Sequence, residues 1–154
     1  MYLYREEVEN EICDWPQTDC FYLEIPADAA LSAERLDVGF WTDKGACDDT
    51  AAAFLVKMQG KEVFLFGAAG FGGEAAYFEK ILKNTLHKLN SSNTIVCTHM
   101  CQGKMPMSVR ERYEKMLSAP IHAPNLEGMI ENFDKAFSHP DETDLIELKN
   151  AASK

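Results

Sequence analysis

Two rhythms of apolar residues alternate along the chain. Short runs rich in β-branched and aromatic residues occur at Cys20 to Pro26 (CFYLEIP), Leu36 to Trp41 (LDVGFW), Glu62 to Ala68 (EVFLFGA) and Asn93 to His99 (NTIVCTH), and each predicts a strand. The last two are nearly continuous in apolar residues, as strands covered on both faces should be. Pro26 ends the first run and places it near a sheet edge. Between and around these runs the period lengthens to three and four. Leu3, Val8, Ile12 and Trp15 predict a helix over Tyr2 to Trp15 that Pro16 ends. An Ala-rich segment from Asp49 to Gln59 predicts a second helix. Ala75, Phe78, Ile81, Leu82, Leu86 and Leu89 mark an amphipathic one over Glu74 to Leu89. Two more, SVRERYEKMLS and NLEGMIENFDKAFSH, flank the loop APIHAPN, and DETDLIELKNAASK adds a short final one. Alternating strand and helix predict an α/β fold, a three-layer α/β/α sandwich whose sheet is mainly parallel and whose crossovers are right-handed. With no repeat, linker or composition shift, residues 1–154 read as a single domain.

Composition narrows the partners. At 46% hydrophobic residues, 154 residues suffice for a real core. No run of about 18 apolar residues predicts a membrane span, and MYLYREEVEN is acidic where a signal peptide is basic and then apolar, so a cytoplasmic protein is expected. Five scattered cysteines are unlike a disulfide scaffold and are expected to be reduced. A net charge of -10 argues against nucleic acid. That charge either keeps the protein soluble or steers it to a partner protein with a basic patch.

In an open α/β sheet the ligand lies beyond the carboxyl ends of the strands, where helix N-termini converge. Three loops fall there: WTDKGACDD, GAAGFGGEA and HMCQGKMP. Gly67, Gly70, Gly72 and Gly73 permit positive φ and close approach to a ligand, or else simply turn the chain into a helix. No Lys-Ser/Thr follows Gly73, so the loop is not a nucleotide P-loop. Cys97, His99 and Cys101 alternate along one strand face, but a closed zinc site needs four ligands, and Cys97 reads better as a small hydrophobe. Cys101 has no His–Asp arrangement beside it, and His87, His122 and His139 do not read as general bases. Trp41 is open between two roles, a packing residue and an aromatic face for a planar ligand.

Taken together and in order, LDVGFWTDKGACDDTAAAFL, KEVFLFGAAGFGG, CTHMCQGKM and FDKAFSHPDETDL resemble the flavodoxin-like proteins, most closely a short subgroup with GFWxDKG and CQGK motifs. The resemblance spans about Phe21 to Leu145. It implies a five-stranded parallel sheet in the order 2-1-3-4-5, with FMN held non-covalently at its carboxyl edge for electron transfer, as a shuttle or as the flavin module of a small reductase. It places Phe40, Trp41, Thr42, Asp43, Lys44 and Gly45 against the isoalloxazine ring. It sets Ala68, Ala69, Gly70, Phe71, Gly72 and Gly73 on the ring's other side and pyrimidine edge, and adds Gln102 and Gly103 as further neighbours. No catalytic side chain and no metal are implied. Asp43, Asp48 and Asp49 either tune the flavin by their charge or serve the N-terminus of the following helix.

The resemblance fails at one end. Flavodoxin-like chains open with a strand and a Ser/Thr- and Gly-rich loop that binds the FMN phosphate, and this sequence has neither before its first helix. Strand 1 of the expected order has no segment, the domain reads as N-terminally incomplete, and weak FMN binding is expected. The alternative is a flavin-free binding or structural domain that keeps the fold.

Overall fold

The computed structural model describes residues 28–121 and 123–154. The predicted helix at Tyr2 to Trp15, the predicted strand at Cys20 to Pro26, and His122 lie outside them. After a short 3-10 turn (Asp28–Ser32) come β1 (Arg35–Asp43), β2 (Ala46–Cys47), α1 (Asp49–Leu55), β3 (Glu62–Ala69), α2 (Ala75–Leu86), β4 (Thr94–Gln102), α3 (Met107–Leu117), α4 (Leu126–Ala136) and α5 (Glu142–Ala152). Among the described residues the sheet order is β2-β1-β3-β4. The parallel expectation holds for β1, β3 and β4, which pair in parallel.

β2 is the departure. The sequence pattern ends this strand at Trp41 and starts a helix at Asp49, with a polar turn over Thr42 to Gly45 between them. Instead β1 continues to Asp43 and folds back, pairing Thr42 with Cys47 and Asp43 with Ala46 in antiparallel register. Lys44 (φ 48) and Gly45 (φ 82) form the turn, two successive left-handed residues of the kind that joins tight hairpins. The sheet is therefore mixed.

β3 is buried at every residue after Glu62 because helices cover both its faces. On one face Leu36, Val38, Phe40, Val63, Leu65 and Ala69 meet Phe54 and Leu55 of α1, Met58 just after it, and Ile81 of α2. On the other, Phe64 and Phe66 meet Leu148, Ala151 and Ala152 of α5. Two cross-strand pairs interlock the layers. Phe40 opposes Gly67 and Phe66 opposes Gly39. A Cβ on Gly67 would fall 2.5 Å from Phe40 Cζ, and one on Gly39 would fall 2.7 Å from Phe66 Cζ. Each ring thus lies flat over the neighbouring strand, and only glycine leaves room beneath it.

Helix starts follow local chemistry. The Asp48 carboxylate accepts from the backbone N–H groups of Thr50 and Ala51 at 2.9 and 3.1 Å and so caps α1. Asp141 and Asp144 form a capping box at α5, the meaning of the acidic run in HPDETD. At the far end of α5 the Arg35 guanidinium donates to the Ala152 carbonyl at 2.7 Å, a cation at a helix C-terminus. None of the described helices is long and apolar enough to cross a membrane.

Candidate functional site at the carboxyl edge of the sheet

Strand register aligns the three candidate loops. Trp41 pairs with Ala68, Ala68 with Cys101, and Ala69 with Gln102, so β1, β3 and β4 end in line and release their loops at one edge. Phe40 and Trp41 point to opposite faces of β1, and their exposures are 7% and 38%. Phe40 belongs to the core. Trp41 has the exposure of a side chain available to something flat.

The first loop is anchored from α2. The Asn84 side-chain amide donates to the Gly45 carbonyl at 2.9 Å, and the Cys47 N–H donates to the buried hydroxyl of Thr85, also at 2.9 Å. Beside the hairpin, the Thr42 hydroxyl oxygen is buried with no hydrogen-bond partner among the described residues. A buried hydroxyl left unpaired is costly, and a ligand at this edge would relieve it. Asp43 and Lys44 are exposed and pair at 3.4 Å. Of the three acids considered for tuning, Asp48 is committed to capping α1, and Asp49 lies in that helix's first turn.

The second loop carries the glycines. Ala68, Ala69 and Gly70 are buried, whereas Phe71 is 40% exposed. Gly72 (φ 104) and Gly73 (φ 76) adopt backbone that other residues avoid. A Cβ on Gly72 would also sit 2.3 Å from the Tyr77 ring. In the third loop, the Gly103 N–H donates to the Ala69 carbonyl at 3.0 Å and the Lys104 N–H to the His139 carbonyl at 3.1 Å. The third loop is thereby tied to the end of β3 and to the segment that leads into α5.

One participant was not foreseen. Asn132 on α4 accepts from the Gly72 N–H at 3.1 Å, donates to the Gly70 carbonyl at 3.0 Å, and lies 3.4 Å from the Gln102 amide nitrogen. Its only sequence signal was its place: asparagine is a poor residue for mid-helix and is kept there for what its side chain binds.

A family model of the flavodoxin domain matches residues 6–153. The chain belongs to the flavodoxin domain family. A flavodoxin-like domain-containing protein, BilS, of Clostridium symbiosum (strain WAL-14163) is 41% identical over 147 residues, which cover 86% of this chain and 77% of that protein. The protein of the same name from Clostridioides difficile (strain CD3) is 28% identical over 123 residues, 78% of this chain and 70% of that one. Flavodoxin domains generally bind flavin, and the edge described above fits such a group. An exposed Trp41, a Thr42 hydroxyl with no partner among the described residues, and glycine backbone without side-chain bulk are what a planar, polar-rimmed ring requires.

The strand that carries the third loop of this flavodoxin domain bears the alternating Cys97, His99 and Cys101. These three share the face of Phe64, Phe66 and Ala68, after a bulge in which Val96 is the extra residue. Cys101 is buried and the half-buried Cys97 thiol leans toward the Thr98 carbonyl at 3.7 Å. The closest potential ligands among the described residues are instead His139, Asp141 and Asp144. These are spent on structure: Asp144 accepts from the Asp141 N–H at 2.8 Å and meets His139 Nδ1 at 2.6 Å.

His99 has a consequence of its own. Burial holds its imidazole below the usual histidine range, against the opposing pull of Glu147 and Asp144, and its Nε2 has no partner among the described residues. A base with a depressed folded pKa is protonated first in the unfolded chain. Stability is therefore expected to fall as pH drops through about 6.5, the ordinary value for histidine. Chemical denaturation at a series of pH values should show a shallower fall for His99→Gln than for the parent. Equal slopes would mean that His99 titrates alike in both states.

Proposed function

We propose that this domain holds FMN at the carboxyl edge of its sheet and passes electrons between partner proteins. The reading rests chiefly on one observation: strand register brings an exposed aromatic, a buried hydroxyl with no partner among the described residues, and a positive-φ glycine loop to a single edge. Trp41 offers a face for the ring, Thr42 a hydroxyl, and the segments 43–45, 70–73 and 102–103 offer backbone polar groups. Bound flavin would supply the electron-carrying chemistry. The chain's own part is to bind, orient and shield the ring. No side chain at the edge needs to move a proton. The charge of -10 favours partners that present a basic patch, mainly by raising the rate of encounter at low salt.

The test is a titration of FMN and of lumiflavin, which has the ring alone, followed by flavin fluorescence. Saturable quenching at one flavin per chain is expected with both, because the proposed contacts are to the ring. Redox titration of the bound flavin should then give a midpoint potential different from that of free FMN. If neither flavin saturates, the reading fails and a flavin-free binding or structural domain takes its place.

A further inference from the structure

Asn132 touches the glycine loop at two points that bracket a single residue. Its amide accepts from the Gly72 N–H and donates to the Gly70 carbonyl, as an adjacent strand's peptide group would. Phe71 lies between those two anchors. It is exposed, while Gly70 before it is buried, and Gly72 after it has a φ of 104°. A loop of glycines has little conformational preference of its own. What selects this one shape is therefore supplied from outside, by a half-buried side chain 60 residues further along the chain. Met105 adds a steric limit on one side, since a Cβ on Gly70 would fall 2.2 Å from its Cγ. Sterics restrict the loop, but among the described residues only Asn132 engages both ends of its Gly70 to Gly72 turn through side-chain hydrogen bonds. The proximity of the Gln102 amide to the same Asn132 oxygen extends the link to the third loop.

We propose that Asn132 is a positioning residue of the flavin site: it fixes the glycine loop in the one shape that presents Phe71 and the neighbouring backbone to the ring. The proposal rests on the flavin reading for its functional half and on the loop geometry alone for its structural half. Pre-organising a loop lowers the cost of ordering it on binding, so its loss should appear as weakened affinity.

The test uses the whole chain and two variants. Asn132→Ala removes both hydrogen bonds. Asn132→Asp keeps an acceptor for the Gly72 N–H and loses the donor to Gly70. Hydrogen exchange of the Gly72 amide, read by NMR without flavin, is expected to accelerate about tenfold or more in Asn132→Ala and to stay slow in Asn132→Asp. Lumiflavin, which is uncharged and so indifferent to the new carboxylate, should bind about tenfold more weakly to Asn132→Ala, with Asn132→Asp in between. The denaturation midpoint identifies any variant that simply fails to fold, and the other then carries the comparison. Unchanged Gly72 exchange in Asn132→Ala overturns the proposal. So does accelerated exchange with undiminished lumiflavin affinity, which would make Asn132 a structural residue only. If the parent binds no flavin, the flavin reading and the functional half fall together, while Gly72 exchange still decides whether Asn132 holds the loop.

Discussion

Phe40→Ala is expected to cost about 3–5 kcal/mol of folding stability, whereas Trp41→Ala is expected to leave stability nearly unchanged and to weaken flavin binding by about 1–3 kcal/mol. The two residues are adjacent, aromatic and similar in size, so composition and position cannot account for a split. Side-chain direction does. Phe40 faces the layer under α1 and α2, 7% exposed, with its ring over Gly67. Removing it leaves a cavity that a sheet cannot collapse to fill. Trp41 faces the other way, at 38% exposure, and its backbone carbonyl accepts from the Asp48 N–H, a bond that truncation of the side chain leaves in place. Chemical denaturation and lumiflavin titration on both variants read the two quantities separately. The reverse assignment would make Trp41 a core residue and leave Phe71 as the aromatic partner to examine.

Gly67→Ala is expected to destabilise the protein by about 1–3 kcal/mol through overpacking, and most of that cost should vanish in a Phe40→Ala background. A methyl group at Gly67 collides first with the Phe40 ring, whose Cζ would be 2.5 Å away. With the ring gone, the same methyl enters the vacated space. The double variant should therefore be distinctly more stable than the sum of the two single costs allows. A double-mutant cycle by urea denaturation measures the coupling. Simple additivity would show that the strain at Gly67 comes from the backbone and not from the ring.

Much of this architecture was legible because burial imposes a period. β3 reads as a continuous apolar run, since both its faces are covered, and it was placed to within one residue of its end. α2 was equally plain, its stripe of Phe78, Ile81, Leu82 and Leu86 facing one cluster, with Leu89 just beyond the helix. What escaped lacked a local signal. The hairpin to β2 uses Lys44 at the first left-handed position, where asparagine or glycine would have marked the turn as a tight hairpin. β4 runs on from His99 to Gln102, because a half-buried strand tolerates a polar side chain such as Gln102 that reads as loop. The candidate loops themselves were found by the rule that parallel strands release ligands at their carboxyl ends, and register then set them side by side. Asn132 could not be found that way. A tertiary hydrogen bond across 60 residues leaves no periodicity behind it.

That separation has a consequence for how the protein is made. A ribosome delivers the glycine loop long before α4, yet both hydrogen bonds that shape the loop come from residue 132. During synthesis the central strands can pair and their layers can begin to close while the Gly70 to Gly72 turn is still without its anchor. The edge of the sheet is thus finished late, by a helix from the final third of the chain. A nascent chain halted before residue 132 carries the strands of the site without the clasp that sets its loop.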